Sequence, residues 1–151
     1  TGGKFDGNYG VLAGLEVLPR LVPFRVIGSA LGSETARVLA ALRQLGHQVL
    51  DLGALARMPR SSLSAPMGDQ PAQALFDSQL LQALRDLDPR VPVWVADTGA
   101  RLGSLALPGA LRDALAIAPV CPLQADLVVR VVTALGDLLQ GSHSRATGHR
   151  R

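Results

Sequence analysis

Phe24-Arg-Val-Ile-Gly-Ser-Ala-Leu-Gly-Ser-Glu-Thr-Ala-Arg-Val-Leu39 opens with a short apolar run, turns through Gly and Ser, and continues into an apolar-periodic helix. Strand, glycine loop and helix in that order form a phosphate-binding loop, where main-chain N–H groups and a helix N-terminus face an anion. The side chains that complete such a loop are missing. In the pattern G-x-x-x-x-G-K-[S/T] started at Gly28, Ser33 replaces the second glycine and Glu34 the lysine. A carboxylate where an ammonium meets a triphosphate is repulsive. The stretch predicts the scaffold of a nucleotide site without its chemistry.

Working outward, the first strand is Phe24–Gly28, set up by Pro23, and the helix Thr35–Leu45 carries Val38, Leu39, Leu42 and Leu45 on one face. Gly46 is its stop signal. His47–Leu52 reads as a second strand with Asp51 at its end, and Gly53–Arg57 as a short helix. Met58–Gln70, with three Ser, two Pro and one Gly, is a long irregular segment of the functional-loop kind. Pro71 opens the helix Pro71–Leu87, striped by Ala74, Leu75, Leu80, Leu81, Leu84 and Leu87. Val91–Val95 is the third strand and closes on Asp97, followed by a loop over Thr98–Gly103. Pro108–Ala116 is a helix, Ala118–Cys121 a fourth strand and Gln124–Leu139 a last helix. Upstream, Val11–Leu18 is helical and stopped by Pro19.

This alternation predicts an α/β fold, a parallel sheet with helices on both faces. The expected organisation is a linker and N-terminal helix over 1–20, the α/β domain over 21–140 and a disordered basic tail over 141–151. Ligands in such sheets sit at the carboxyl ends of strands, which gathers Ser29–Ala36, Asp51 and Asp97 on one rim.

Composition sets further bounds. The chain has 151 residues, 48% of them hydrophobic and 3% aromatic, so its core must be built from Leu, Val and Ala, with Phe76 and Trp94 as large fillers. No apolar run reaches the ~18–20 residues of a membrane span, and no positively charged, apolar, small-residue leader pattern is read in the sequence, so nothing in it argues for secretion. The opening Thr1 without an initiator Met reads as a fragment or a processed chain. One cysteine, Cys121, excludes an internal disulfide, fits a reducing cytoplasm and reads as a small buried hydrophobe. The formal charge is +3, and fourteen of the fifteen basic residues are Arg. Arg suits bidentate phosphate recognition, but GC-rich coding has the same effect on composition.

Several words occur in order: Phe24-Arg-Val-Ile-Gly28, Gln48-Val-Leu-Asp-Leu52, Leu55-Ala-Arg57, Gln70-Pro-Ala-Gln73, Phe76-Asp-Ser78, Leu87-Asp-Pro89, Pro92-Val-Trp-Val95, Leu102-Gly103 and Leu107-Pro108. Together they resemble the C-terminal P-loop, or nucleotide-binding, domain of bacterial tRNA 2-selenouridine synthase, over roughly Gly2 to Leu139. The resemblance implies a P-loop NTPase-like fold and a tRNA partner. The implied reaction exchanges sulfur for selenium at the wobble uridine through an S-geranylated intermediate. Selenophosphate and geranyl diphosphate are the implied substrates. It also implies an N-terminal rhodanese-like domain, which carries that family's reactive cysteine and which Cys121 does not match, so no catalytic residue is assigned here.

The departures fall where chemistry is expected. The family loop resembles G-G-x-T-G-S-G-K-T; aligned from Gly28, it sets Ser29, Leu31, Glu34, Thr35 and Ala36 opposite Gly, Thr, Gly, Lys and Thr. Gly28, Ser29, Gly32, Ser33 and Thr35 are what remains to meet a phosphate. The two alignments differ over whether Glu34 or Thr35 replaces the lysine, but neither contains a lysine, and in the second the magnesium-binding hydroxyl becomes Ala36, so ordinary ATP or GTP binding is not expected. The family's H-R-G-S-x-L-G corresponds to Met58-Pro-Arg-Ser-Ser-Leu-Ser64, which keeps Ser61 and Leu63. Asp97 reads either as a carboxylate holding Mg²⁺ through water or as a solvated strand end. Gln70 and Gln73 read as contacts to nucleotide or RNA, or as first-turn polar residues. Arg57 and Arg60 read as RNA-phosphate contacts or as a solvated face. His47 reads as an exposed loop residue, and His143 and His149 lack fixed geometry for a metal. Two functions remain open: a module of a tRNA-modifying transferase with an impaired nucleotide and diphosphate site, or a non-catalytic pseudo-P-loop interaction or RNA-binding module.

Overall fold

A computed structural model describes residues 3–29, 35–58 and 68–124, and beyond them 126–129, 131–132 and 135–136. The elements run α1 (Gly3–Leu21), β1 (Phe24–Ser29), α2 (Thr35–Gln44), β2 (Gln48–Val49), α3 (Leu52–Leu55) and α4 (Gln73–Arg85). Then follow β3 (Val93–Ala96), β4 (Arg101–Leu102), β5 (Leu105–Ala106), α5 (Gly109–Ile117) and β6 (Val120–Leu123). Residues 127–129, 131–132 and 135–136 are helical, in agreement with a last helix. The tail expected over 141–151 lies outside the described residues.

The main sheet is parallel in the order β2-β3-β1-β6. Partners across a parallel ladder share a face, so the register Phe24↔Val93 and Val26↔Val95 lines up one apolar side. On it, Phe24, Val93 and Val95 join Leu15 of α1, Phe76, Leu80, Leu81 and Leu84 of α4, and Leu111 of α5 in one buried cluster. The opposite face carries Arg25, Trp94 and Ile27, and α2 packs there against β2 and β3 with Leu39 buried. The α/β fold with helices on both faces is therefore what forms. Phe76 is fully buried, whereas Trp94 is half-buried with the Arg25 guanidinium 6.0 Å from its ring centroid. Leu45 and Leu75, expected on buried stripes, are exposed.

Three local features differ from the sequence expectation. First, α1 runs from Gly3 to Leu21, through Pro19 and through most of the segment expected as a linker. Pro19 removes the N–H that would bond the Leu15 carbonyl, and the helix nonetheless continues two residues past it with the proline ring fully buried. Glycine at 14 allows α1 to approach α4: a Cβ there would lie 2.5 Å from Leu81 Cδ1. Second, the loop expected at Thr98–Gly103 contains half of an antiparallel hairpin, β4–β5, turned by Gly103-Ser104 with Gly103 at φ +62°. Third, Cys121 is exposed rather than buried, because β6 is the edge strand of the sheet.

That edge is built distinctively. Val26 N–H donates to the Pro119 carbonyl at 2.9 Å, and the register Val26↔Val120 then directs Cys121 and Leu123 toward β1. Pro122 accordingly stands where its missing N–H would have faced outward. At the other end of β3, Gln48 holds the preceding turn. Its amide donates to the carbonyls of Asp88 and Val91, each at 3.0 Å, and its oxygen accepts from Asp88 N–H at 2.7 Å.

Candidate functional site

The carboxyl ends of β1 and β3 meet side by side. Asp97 N–H donates to the Ile27 carbonyl at 3.0 Å, so Asp97 sits level with Gly28, where the degenerate loop begins. This is also where strand order reverses, since the chain leaves β1 toward β2 on one side and leaves β3 toward β6 on the other. Asp97 is exposed, and its Oδ1 accepts from Gly99 N–H at 3.2 Å, turning the chain immediately after the strand. Ser29 ends β1 opposite Leu123, and Thr35 is half-buried at the start of α2. Gly32, Ser33 and Ser61 lie outside the described residues.

Lysine occurs only at position 4 of the sequence, and among the described residues no three His, Cys, Asp or Glu side chains converge.

At Asp97, a cleft of about 340 Å³ opens between the sheet and α5, lined by Val26, Asp97, Thr98, Arg112, Leu115 and Val120 among others. Thr98 Oγ1 is buried there without a hydrogen-bond partner. Sequence reading did not single out Thr98 or Arg112, which line one cleft because the β3–β1–β6 order sets β3's end beside α5.

Asp51, placed on the rim from sequence, caps α3: its Oδ1 accepts from Ala54 N–H at 3.0 Å. It borders a second cleft, of about 300 Å³, that also includes Arg43, Arg57 and Gln79 over a floor of Val49, Leu55 and Ala83. Arg57 is exposed, and its Nη1 donates to the Asp69 carbonyl at 3.3 Å.

Gln70 and Gln73 are engaged within the chain. Gln70 Nε2 donates to the carbonyls of Leu102 at 2.9 Å and Ala56 at 3.1 Å, and its Oε1 accepts from Ser104 N–H and Oγ, each at 2.9 Å. Gln73 Nε2 donates to the Ala106 carbonyl at 3.0 Å while its Oε1 accepts from Ala106 N–H at 2.9 Å. Both side chains hold the β4–β5 hairpin. The sequence signal for that hairpin was Gly103-Ser104 between Leu102 and Leu105, a two-residue turn of the Gly-X type.

A family model described as the tRNA 2-selenouridine synthase AAA domain matches residues 22–150. No curated protein and no solved structure matches the chain. Among the described residues, no helix is long and apolar enough to cross a membrane.

Proposed function

Because this chain belongs to the tRNA 2-selenouridine synthase AAA-domain family, we propose that it serves tRNA modification with an impaired nucleotide and diphosphate site. Its role in this reading is to hold tRNA in the cytoplasm while a rhodanese-like partner performs the sulfur-to-selenium exchange through the geranylated intermediate. One juxtaposition carries the reading: Asp97 stands beside Gly28, as a magnesium carboxylate stands beside a phosphate loop, yet Gly28–Ala36 holds no lysine. Gly28, Ser29, Gly32, Ser33 and Thr35 are the remnants that would face a phosphate, with Asp97 as the remaining candidate metal carboxylate. Arg57, Ser61, Gln70 and Gln73 are the candidate RNA or substrate contacts. Of these, Gln70 and Gln73 act by holding the hairpin, since their amides are bonded to main chain.

Calorimetric titration with Mg·ATP, Mg·GTP and geranyl diphosphate tests the reading, run on the parent and on the Glu34→Gly, Thr35→Lys, Ala36→Thr triple variant. A silent parent and a binding variant support an erased phosphate site on an intact scaffold. Micromolar binding by the parent overturns it. The alternative reading, a non-catalytic interaction or RNA-binding module, is favoured by the second cleft, which Arg43 and Arg57 line.

A further inference from the structure

We propose that the cleft between Arg43 and Arg57 seats a phosphodiester of RNA, an inference that rests on the RNA-holding role proposed above. Its starting point is the backbone. Arg57 N–H donates to the Ala54 carbonyl at 3.1 Å and Met58 N–H to the Gly53 carbonyl at 2.8 Å, closing α3 with a Schellman motif. The residue after the cap in this motif adopts the left-handed conformation, and here that residue is Arg57 at φ 52°. Glycine is the usual occupant because every L side chain there crowds the following carbonyl. Among the described residues, Arg57 is the only non-glycine with positive φ.

What the side chain does in exchange is visible in its surroundings. Arg57 and Arg43, the latter in the last turn of α2, line one cleft with Gln79 of α4 between apolar walls. The Arg43 guanidinium has no hydrogen bond or ion pair with any described residue. Arg57 makes one long bond, to a main-chain carbonyl that leaves the rest of its donor fork unused. The cleft's carboxylate, Asp51, is turned onto Ala54 N–H at the start of α3. Two guanidiniums and a carboxamide donor over an apolar floor suit an oxyanion bridged by forked N–H groups, and the left-handed position sets Arg57 immediately past the end of α3, on the cleft wall. A phosphodiester within a polymer fits better than a free nucleotide, since among the described residues the cleft lining holds no aromatic side chain on which a base would stack.

The test uses the full chain and an unmodified tRNA transcript, titrated between 50 and 200 mM salt, with Arg57→Gly, Arg43→Gln and the double variant. The double variant is expected to bind roughly 5–20-fold more weakly at the low-salt end, with a salt slope shallower by about 2. Arg57→Gly is expected to weaken RNA binding while its thermal midpoint holds or rises by up to about 4 °C, because glycine relieves the left-handed position. Arg20→Gln on α1 is the charge control and leaves the slope less changed than either cleft variant. If the parent binds tRNA and the cleft variants bind with unchanged slope, the cleft is not the seat and only this inference falls. If the parent does not bind tRNA at all, the RNA-holding role falls and takes the inference with it.

Discussion

Gln70 and Ser104 are joined twice: the Gln70 carbonyl oxygen accepts from both the main-chain N–H and the hydroxyl of Ser104, each at 2.9 Å. The same amide reaches Leu102 and Ala56 through its nitrogen, so one side chain ties the hairpin turn to the end of α3. Removing it leaves half-buried main-chain groups without partners. Gln70→Ala is expected to destabilise by about 2 kcal/mol, read by urea unfolding at neutral pH. Gln73→Ala, whose partners are more exposed, is expected to cost about 1 kcal/mol in the same assay.

Gly103 shares that contact. A Cβ at 103 would lie 2.5 Å from Gln70 Oε1, and φ there is +62°. Gly103→Ala is therefore expected to destabilise by about 1–3 kcal/mol through backbone strain and displacement of the amide. In a double-mutant cycle with Gln70→Ala the two effects should sum to less than their separate values by more than about 0.5 kcal/mol. Strict additivity would mean that the clash is relieved without moving Gln70.

At Gly14 two helix terms oppose each other. Alanine gains about 0.8–1 kcal/mol of helix propensity but meets Leu81, which is buried between α1 and α4. Repacking Leu81 costs about 1–3 kcal/mol, so Gly14→Ala is expected to lower the urea midpoint. Pairing it with Leu81→Ala should reverse the sign of the Gly14→Ala step.

Asp88 offers a pH test. Hydrogen bonds from the Arg90 guanidinium and then from Arg90 N–H lower its carboxyl from 3.8 to about 2. A carboxyl depressed on folding contributes stability that is fully present above its unfolded value and is lost as pH falls through its folded value. The difference in thermal midpoint between the parent and Asp88→Asn should hold constant at neutral pH and shrink between roughly pH 4 and pH 2. A difference that persists unchanged into acid would place the effect of the substitution in the loop geometry rather than in the charge.

The elements with strong local periodicity were legible in the chain: β1 from Phe24, α4 from Phe76, Leu80 and Leu84, β3 from Val93 and Val95. What escaped depends on distant partners. The two strands of the hairpin are two residues each and are stitched by glutamines some thirty positions upstream, which no window over 98–107 contains. Helix α1 continues past the glycine-rich start and through Pro19, whose ring is buried by packing that no local signal contains. Asp97 beside Gly28 was legible, since both end strands that any parallel pairing would align. Arg43 with Arg57, and Thr98 with Arg112, belong to clefts assembled by crossover order, which sequence spacing does not encode.

Pro122 carries a consequence for assembly. A sheet grows by offering alternating donors and acceptors to the next strand, and the outer rim of β6 lacks a donor at 122. A second chain laid along that rim would find a gap in the ladder, so growth of the sheet at this edge is disfavoured. Close by, Ile117 and Val120 leave apolar surface open at 87% and 61% exposure. The proline thus guards the β6 edge while the apolar surface near it stays open to solvent.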